Sequence, residues 1–270
     1  MKIELAKSSS ITQEINEPYY IILIFDGHAS FSVNLTDYEC EGKNLLFLSP
    51  YQLLKWNNST APLVNIIRFH GDFYCIEYHK KEVACNGILF NDIYSEPFVT
   101  VSEFIYDEII SICERMQRVE NSKLDYDNSI LKSYLQVILA LSSKEKQLKM
   151  SPEIQEMIGN ADILTFQSLL EKHFLEAKEV AFYASKYNLT VNTFSKRIKK
   201  HFGKPPTKLI QERIVLEAKK LLHLTVKTIR EIALDLNFED EFYFSRYFKN
   251  SVGVSPKEFR KEVGISIVAK

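Results

Sequence analysis

Two short stretches of this chain carry the same chemistry. In Phe194-Ser195-Lys196-Arg197-Ile198-Lys199 and in Phe244-Ser245-Arg246-Tyr247-Phe248-Lys249, two apolar residues stand four apart with cations between them. On a helix this spacing turns Phe194 and Ile198 to one side and leaves Asn192, Lys196 and Lys199 together on the other, at i, i+4 and i+7. Phe242, Arg246 and Lys249 take the same face of the second copy. A guanidinium so presented can reach guanine O6 and N7 or a phosphate. A single basic helix is as well read as solvated surface, but duplication of the arrangement weakens that reading.

Other chemistries lack their residues. A metal needs three or four convergent ligands, commonly including paired histidines. His28, His70 and His79 are the only histidines of the N-terminal half, and they fit no ligand spacing; Leu45–Pro50 runs on into Tyr51-Gln52-Leu53-Leu54-Lys55 without one. The four cysteines, 40, 75, 85 and 113, form no CxxC pair and suit reduced thiols in a cytoplasmic protein. There is no Gly-rich phosphate loop, GxSxG elbow or HExxH. The expectation is therefore no catalytic residue, no metal ligand, no cofactor and no enzymatic activity.

The two basic stretches belong to a longer internal repeat. Tyr183-Ala184-Ser185-Lys186-Tyr187-Asn188-Leu189 lies over Ile232-Ala233-Leu234-Asp235-Leu236-Asn237-Phe238, with Gly203 over Gly253 and Pro206 over Pro256 further on. Each copy reads as a helix with a small alanine where another helix approaches, a tight turn, and a second helix. The turn position is Asn188 or Asn237, and Asn is second only to Gly in a left-handed backbone. Thr228 with Glu231 reads as a capping box, Thr190 and Asp240 as caps of the second helices, and Ser255-Pro256 with Glu258 as the start of a last helix. Between the copies, Leu209, Ile210, Ile214, Ala218, Leu221 and Leu222 keep helical spacing from Pro206 to Leu222. Some 17 residues at about 1.5 Å each span on the order of 25 Å, enough to set two helices about one DNA turn, roughly 34 Å, apart.

These helices need a domain of their own, and 270 residues suffice for two. An overall charge of −1 conceals a division: residues 170–262 hold 19 Lys+Arg against 12 Asp+Glu, and residues 1–169 hold 14 against 23. A basic back and an acidic front suit a phosphate-binding module joined to one of another kind. In the front, Tyr19–Leu23, Phe31–Val33, Leu45–Leu48 and Val64–Ile67 are short β-branched and aromatic runs, separated by Asp26-Gly27, Glu41-Gly42-Lys43-Asn44 and Ser49-Pro50. They read as a small antiparallel barrel or sandwich. Tyr20, Phe31, Phe47, Trp56 and Phe69 would line its interior, as core or around a small ligand. From Ser102, a fitting N-cap, the period becomes helical through Phe104, Ile105, Ile109, Ile112 and Met116, and again through Ile130, Tyr134, Ile138 and Leu141. The second stripe is either a dimer seam or packs on the barrel. Ser142–Gln147, Ser151-Pro152 and Gly159-Asn160 mark a linker. Residues 1–147 are thus one domain, 148–161 the linker and 162–264 the other. Met1–Ser10 does not read as a secretory signal, and Tyr19–Phe25, the longest apolar run, is too short for a membrane span, so the expected location is cytoplasmic.

Thr228–Arg260, "TIREIALDLNFEDEFYFSRYFKNSVGVSPKEFR", closely resembles the AraC/XylS family of transcription regulators. The resemblance extends back through "EAKKLL" (Glu217–Leu222) and "YASKYNLTVNTFSKRIKKHFGKPP" (Tyr183–Pro206), a span of 78 residues in all. It implies an α+β chain: an N-terminal cupin-like antiparallel β-barrel with a helical hairpin, then an all-α double helix-turn-helix domain. It further implies one recognition helix per repeat, and an N-terminal domain for effector binding, dimerisation or both. Carried over by position, Asn192, Ser195 and Lys196 face bases, with Lys199 and Lys200 nearer the backbone. In the second copy Glu241, Phe242, Ser245 and Arg246 face bases and Lys249 the phosphates, while Thr228 helps hold a phosphate. Asn237 stands where the family usually has glycine, and Phe242 where a polar residue is common; Phe242 either touches a thymine methyl or packs. The implied partners are double-stranded promoter DNA, a second copy of the chain, a small-molecule effector and RNA polymerase, with no membrane. Two rival readings remain: a cupin-type metalloenzyme with an auxiliary DNA-binding domain, and an architectural DNA-binding protein without regulatory function.

Overall fold

The computed structural model describes residues 3–8, 14–61, 63–74, 88–122, 124–149 and 161–264. His79, Cys75, Cys85 and residues 150–160 of the expected linker lie outside them. Ser142–Gln147, expected to mark the linker, instead continues the helix Asp127–Lys149, with Ser142, Ser143 and Lys146 buried. The chain divides into two compact units, residues 1–92 with 96–151, and residues 93–95 with 152–270.

The first unit contains two antiparallel sheets. The first has the order β1 (Ile3–Ser8), β8 (Val64–Phe69), β3 (Tyr20–Asp26), β6 (Lys43–Leu48), β9 (Phe98–Thr100), and the second β2 (Glu14–Ile15), β7 (Leu54–Ser59), β4 (Ala29–Val33), β5 (Thr36–Cys40). Strand β3 is central, pairing Ile21 with Leu48 on one side and Arg68 on the other. It is apolar in consecutive positions because both its faces are covered. Ile21, Leu23 and Phe25 pack with Phe31 and Leu54 of the second sheet. Tyr20, Ile22 and Ile24 pack with α1 (Glu103–Ser122) and α2 (Asp127–Lys149) through Ile109, Met116, Leu135 and Ile138.

This two-sided burial corrects the reading of the aromatics. Phe31 and Trp56 lie between the sheets, their rings stacked 5.5 Å apart. Tyr20, Phe47 and Phe69 belong to the opposite face, beneath the helices. Side chains alternate strictly along a strand, so a run such as Leu45-Leu46-Phe47-Leu48 serves two cores at once. The α2 stripe is likewise occupied: Ile138 is fully buried, and Tyr134 and Leu141 pack on the same core. Ile130 lies at its margin, 40% exposed. Leu35, with Asn34, closes the β4–β5 hairpin at positive φ (+67° and +49°), a turn that no glycine announces. His28 Nε2 lies 2.7 Å from Glu39 Oε1, and the His70 Nδ1 accepts from the Asp72 amide at 3.2 Å.

The second unit is helical over its described residues: α3 (Ala161–His173), α4 (Val180–Lys186), α5 (Val191–Phe202), α6 (Pro206–Leu224), α7 (Ile229–Asp235), α8 (Glu241–Val252) and α9 (Pro256–Val263). Phe166, Tyr183, Phe194 and Ile198 make the core of the first half, and Ile232, Leu236, Phe244, Phe248 and Phe259 that of the second, all 2% exposed or less. Burial of each such side chain contributes about 1.5–3 kcal/mol relative to exposure. Among the described residues, no helix is long and apolar enough to cross a membrane.

Candidate nucleic-acid interface

The internal repeat folds as two matching helix-turn-helix units, α4–α5 and α7–α8. In each, the buried alanine of the first helix accepts a backbone hydrogen bond from beyond the turn: Leu189 N–H to the Ala184 carbonyl at 3.1 Å, and Phe238 N–H to the Ala233 carbonyl at 2.9 Å. Asn188 and Asn237 take the left-handed conformation that lets the chain reverse there, at φ +52° and +55°. The following helices are capped as expected. The Thr190 hydroxyl accepts from the Thr193 amide at 3.3 Å, and the Asp240 carboxylate accepts from the Phe242 and Tyr243 amides at 3.1 and 2.8 Å. Both end on glycines with positive φ, Gly203 and Gly253. With their ends satisfied, α5 and α8 can be short and still present a defined outer face.

That face carries a serine and two cations at matching positions in both copies, with Asn192 in the first where the second has Phe242. Phe194 and Ile198 of α5, and Phe244 and Phe248 of α8, are buried. Asn192, Lys196, Lys199 and Lys200 are exposed, and Ser195 is half-buried. Phe242, Arg246 and Lys249 are exposed, with Glu241 and Ser245 half-buried. Phe242 is 72% exposed, so it does not pack into the core of its own domain. The exposed cations of both helices are available to a polyanion, with no competing burial to overcome.

Thr228 lies at the entrance to α7 and is exposed. Its hydroxyl accepts from the Glu231 amide at 3.2 Å, while the Glu231 carboxylate accepts from the Thr228 amide at 2.7 Å and its hydroxyl at 2.9 Å. Those bonds hold the Glu231 carboxyl below its ordinary pKa. An open groove of about 310 Å³ beside α7 is lined by Arg230, Ala233, Leu234, Phe238 and residues 239–242.

The two units are joined by α6, a single helix of 19 residues with Pro206 at its first turn. Helix α6 is held to both halves. The Arg213 Nε donates to Glu171 of α3 at 2.8 and 3.0 Å, and its guanidinium lies 3.8 Å over the Phe174 ring. Gln211 donates to the Ser251 hydroxyl of α8 at 2.8 Å, and Arg260 of α9 to the Leu222 carbonyl at 3.2 Å. These ties are not evident in the sequence, because a polar side chain on a connecting helix looks the same whether it meets water or a partner.

The family model described as "Helix-turn-helix domain" matches residues 183–262, spanning both repeats and α6. Over these residues the chain carries a helix-turn-helix domain of the AraC/XylS type. Among its relatives, the virulence regulon transcriptional activator VirF of Yersinia enterocolitica is 20% identical over 253 residues, covering 93% of this chain and 91% of VirF. The HTH-type transcriptional activator RhaS of Escherichia fergusonii is 30% identical over 92 residues, 34% of this chain and 33% of its own. ToxT from Vibrio cholerae is a solved structure that covers 98% of this chain and 100% of its own, at 15% identity and a TM-score of 0.43. The chain is thus a DNA-binding regulator with an N-terminal antiparallel-sheet domain and a C-terminal double helix-turn-helix domain.

Proposed function

We propose that this AraC/XylS-type regulator reads promoter DNA by placing α5 and α8 in successive major grooves of one duplex. The observation that carries the proposal is the matched, exposed face of the two helices: Asn192, Ser195, Lys196 and Lys199 on α5, and Phe242, Ser245, Arg246 and Lys249 on α8. In this reading Asn192, Ser195 and Lys196 meet base edges, and Lys199 and Lys200 phosphates. Glu241, Phe242, Ser245 and Arg246 meet base edges in the second groove and Lys249 the backbone, with Thr228 at a phosphate. The exposure of Phe242 favours contact with a thymine methyl over internal packing.

The domain division at 1–147, 148–161 and 162–264 belongs to the same proposal. So do action as a homodimer in the cytoplasm, control by the acidic N-terminal domain with a small-molecule effector, a contact with RNA polymerase, and the absence of enzymatic activity. The two-sided packing of the N-terminal sheets leaves the aromatics between them serving as core, so an effector must bind elsewhere in the chain or displace part of that core.

Binding of the purified chain to fragments upstream of its own and neighbouring genes, measured against random competitor DNA across a salt series, tests the reading. Preference for a fragment that survives competitor is expected. Equal binding to all DNA even at low salt overturns specific recognition.

A further inference from the structure

A helix that joins two reading heads sets how far apart they are; it does not by itself stop them from rotating about it. In this chain a second connection lies away from α6. Residues 174–179, between α3 and α4, belong to the first helix-turn-helix half. They are held there by the Ala177 amide donating to the His173 carbonyl at 2.7 Å and by the Tyr183 hydroxyl donating to the Ala177 carbonyl at 2.9 Å. From this segment Lys178 extends to the turn of the second half. Its Nζ donates to the Asn237 carbonyl and lies 3.5 Å from the centroid of the Phe238 ring. In the opposite direction, the Asn237 side-chain amide donates to the Leu175 carbonyl at 3.3 Å.

The turn so gripped is mechanically close to the second reading helix. The Phe238 ring packs on Phe244 and Tyr247 of α8, each at 5.3 Å, and Asp240 caps that helix. The tie also accounts for the departure at position 237. Glycine would satisfy the left-handed backbone, but only asparagine satisfies it and supplies an amide to Leu175. Burial depresses the pKa of the Lys178 ammonium, so folding works against its charge and does not gain stability from it. A polar contact kept on such terms, half-buried at Lys178 and exposed at Asn237, is suited to specifying one arrangement among several.

We propose that Lys178, with Asn237, is a positioning lock that fixes the orientation of the second helix-turn-helix relative to the first, so that the chain accepts one spacing between its two half-sites. The lock's bearing on DNA rests on the reading of α5 and α8 as the groove-reading helices; the lock itself does not.

Two measurements on the full chain test it. In the first, spin labels introduced as unnatural amino acids at Lys200 and Asn250 report the α5–α8 distance distribution by pulsed dipolar spectroscopy, without DNA. K178M keeps the methylenes and removes the charge and donors. It is expected to broaden the distribution, and K178R to keep it narrow; equal widths in the wild type and K178M overturn the lock, whatever DNA does. In the second, a duplex selected by the wild-type chain from a random pool of about 30 base pairs is compared with versions carrying one or two base pairs inserted at its centre. The wild type is expected to lose about ten-fold or more on insertion, K178M about three-fold or less, and K178R to behave as wild type. An equal loss of K178M binding on every duplex, with the insertion penalty unchanged, also overturns the proposal by assigning Lys178 a merely structural role. Failure of the wild type to select any duplex would instead defeat the groove-reading assignment, and the spin-label widths would still decide the lock.

Discussion

Asn188 and Asn237 hold the same left-handed backbone in the two turns, and Asn237 also reaches out of its own motif to the Leu175 carbonyl. An alanine at either place meets the steric cost of that backbone, about 1–2 kcal/mol. Chemical denaturation should show N188A and N237A both destabilised by that order. Glycine separates the two: N188G should be neutral or slightly stabilising, whereas N237G loses the tie to Leu175 and should shift the midpoint down.

Arg246 and Lys249 lie on the same exposed face of α8 but are assigned different roles, and titrations over a salt range distinguish them. R246A should cost about 1–3 kcal/mol on the selected sequence and relax preference at the base it reads. K249A should weaken binding to selected and random duplexes alike and lower the slope of log affinity against log salt by about 1. Identical behaviour of the two variants would remove the distinction.

Phe244 is fully buried, with Phe238 and Phe248 around it. F244A should destabilise the second unit by about 3–5 kcal/mol, the usual cost of emptying such a site. A loss below about 1 kcal/mol in denaturant melts would show that the aromatic cluster is not the core of that half.

Glu231 ties the start of α7 to pH. Its carboxylate accepts two bonds from Thr228, and its pKa lies below the ordinary 4.5 in the folded chain. A depressed folded value means that the stabilisation is present above the unfolded pKa and is lost as pH falls through the folded one. Protection of the Thr228 amide from hydrogen exchange, taken relative to the intrinsic rate at each pH, should therefore fall in acid in the wild type. In E231Q, which carries no titrating carboxylate there, the acid-dependent part should vanish.

Much of the fold could be read locally. The runs at Tyr20, Phe31, Leu45 and Val64 became strands β3, β4, β6 and β8, and the caps at Ser102, Thr190, Thr228, Asp240 and Ser255 all receive the expected amide bonds. Strands β5 and β7 were not read, because Thr36–Cys40 and Leu54–Ser59 are polar on one face and short, and the Asn34-Leu35 turn lacks a glycine. The allocation of aromatics went astray for a related reason. A strand buried on both sides has no polar face to show which residues point where, so Phe47 and Phe69 could not be separated from Phe31.

Residue order alone determined that there are two helix-turn-helix units, where their second helices begin, and which residues of those helices turn inward, while leaving the exposure of Phe242 open. Those properties follow from contacts within a few residues and from a periodicity that repeats. What only the tertiary structure decided is how those units are held: Arg213 on Glu171, Gln211 on Ser251, and Lys178 on the turn at Asn237. Each of these bonds joins residues far apart in the chain, and a lone polar residue carries no sign of its distant partner. Their geometry exists only once the two cores have packed.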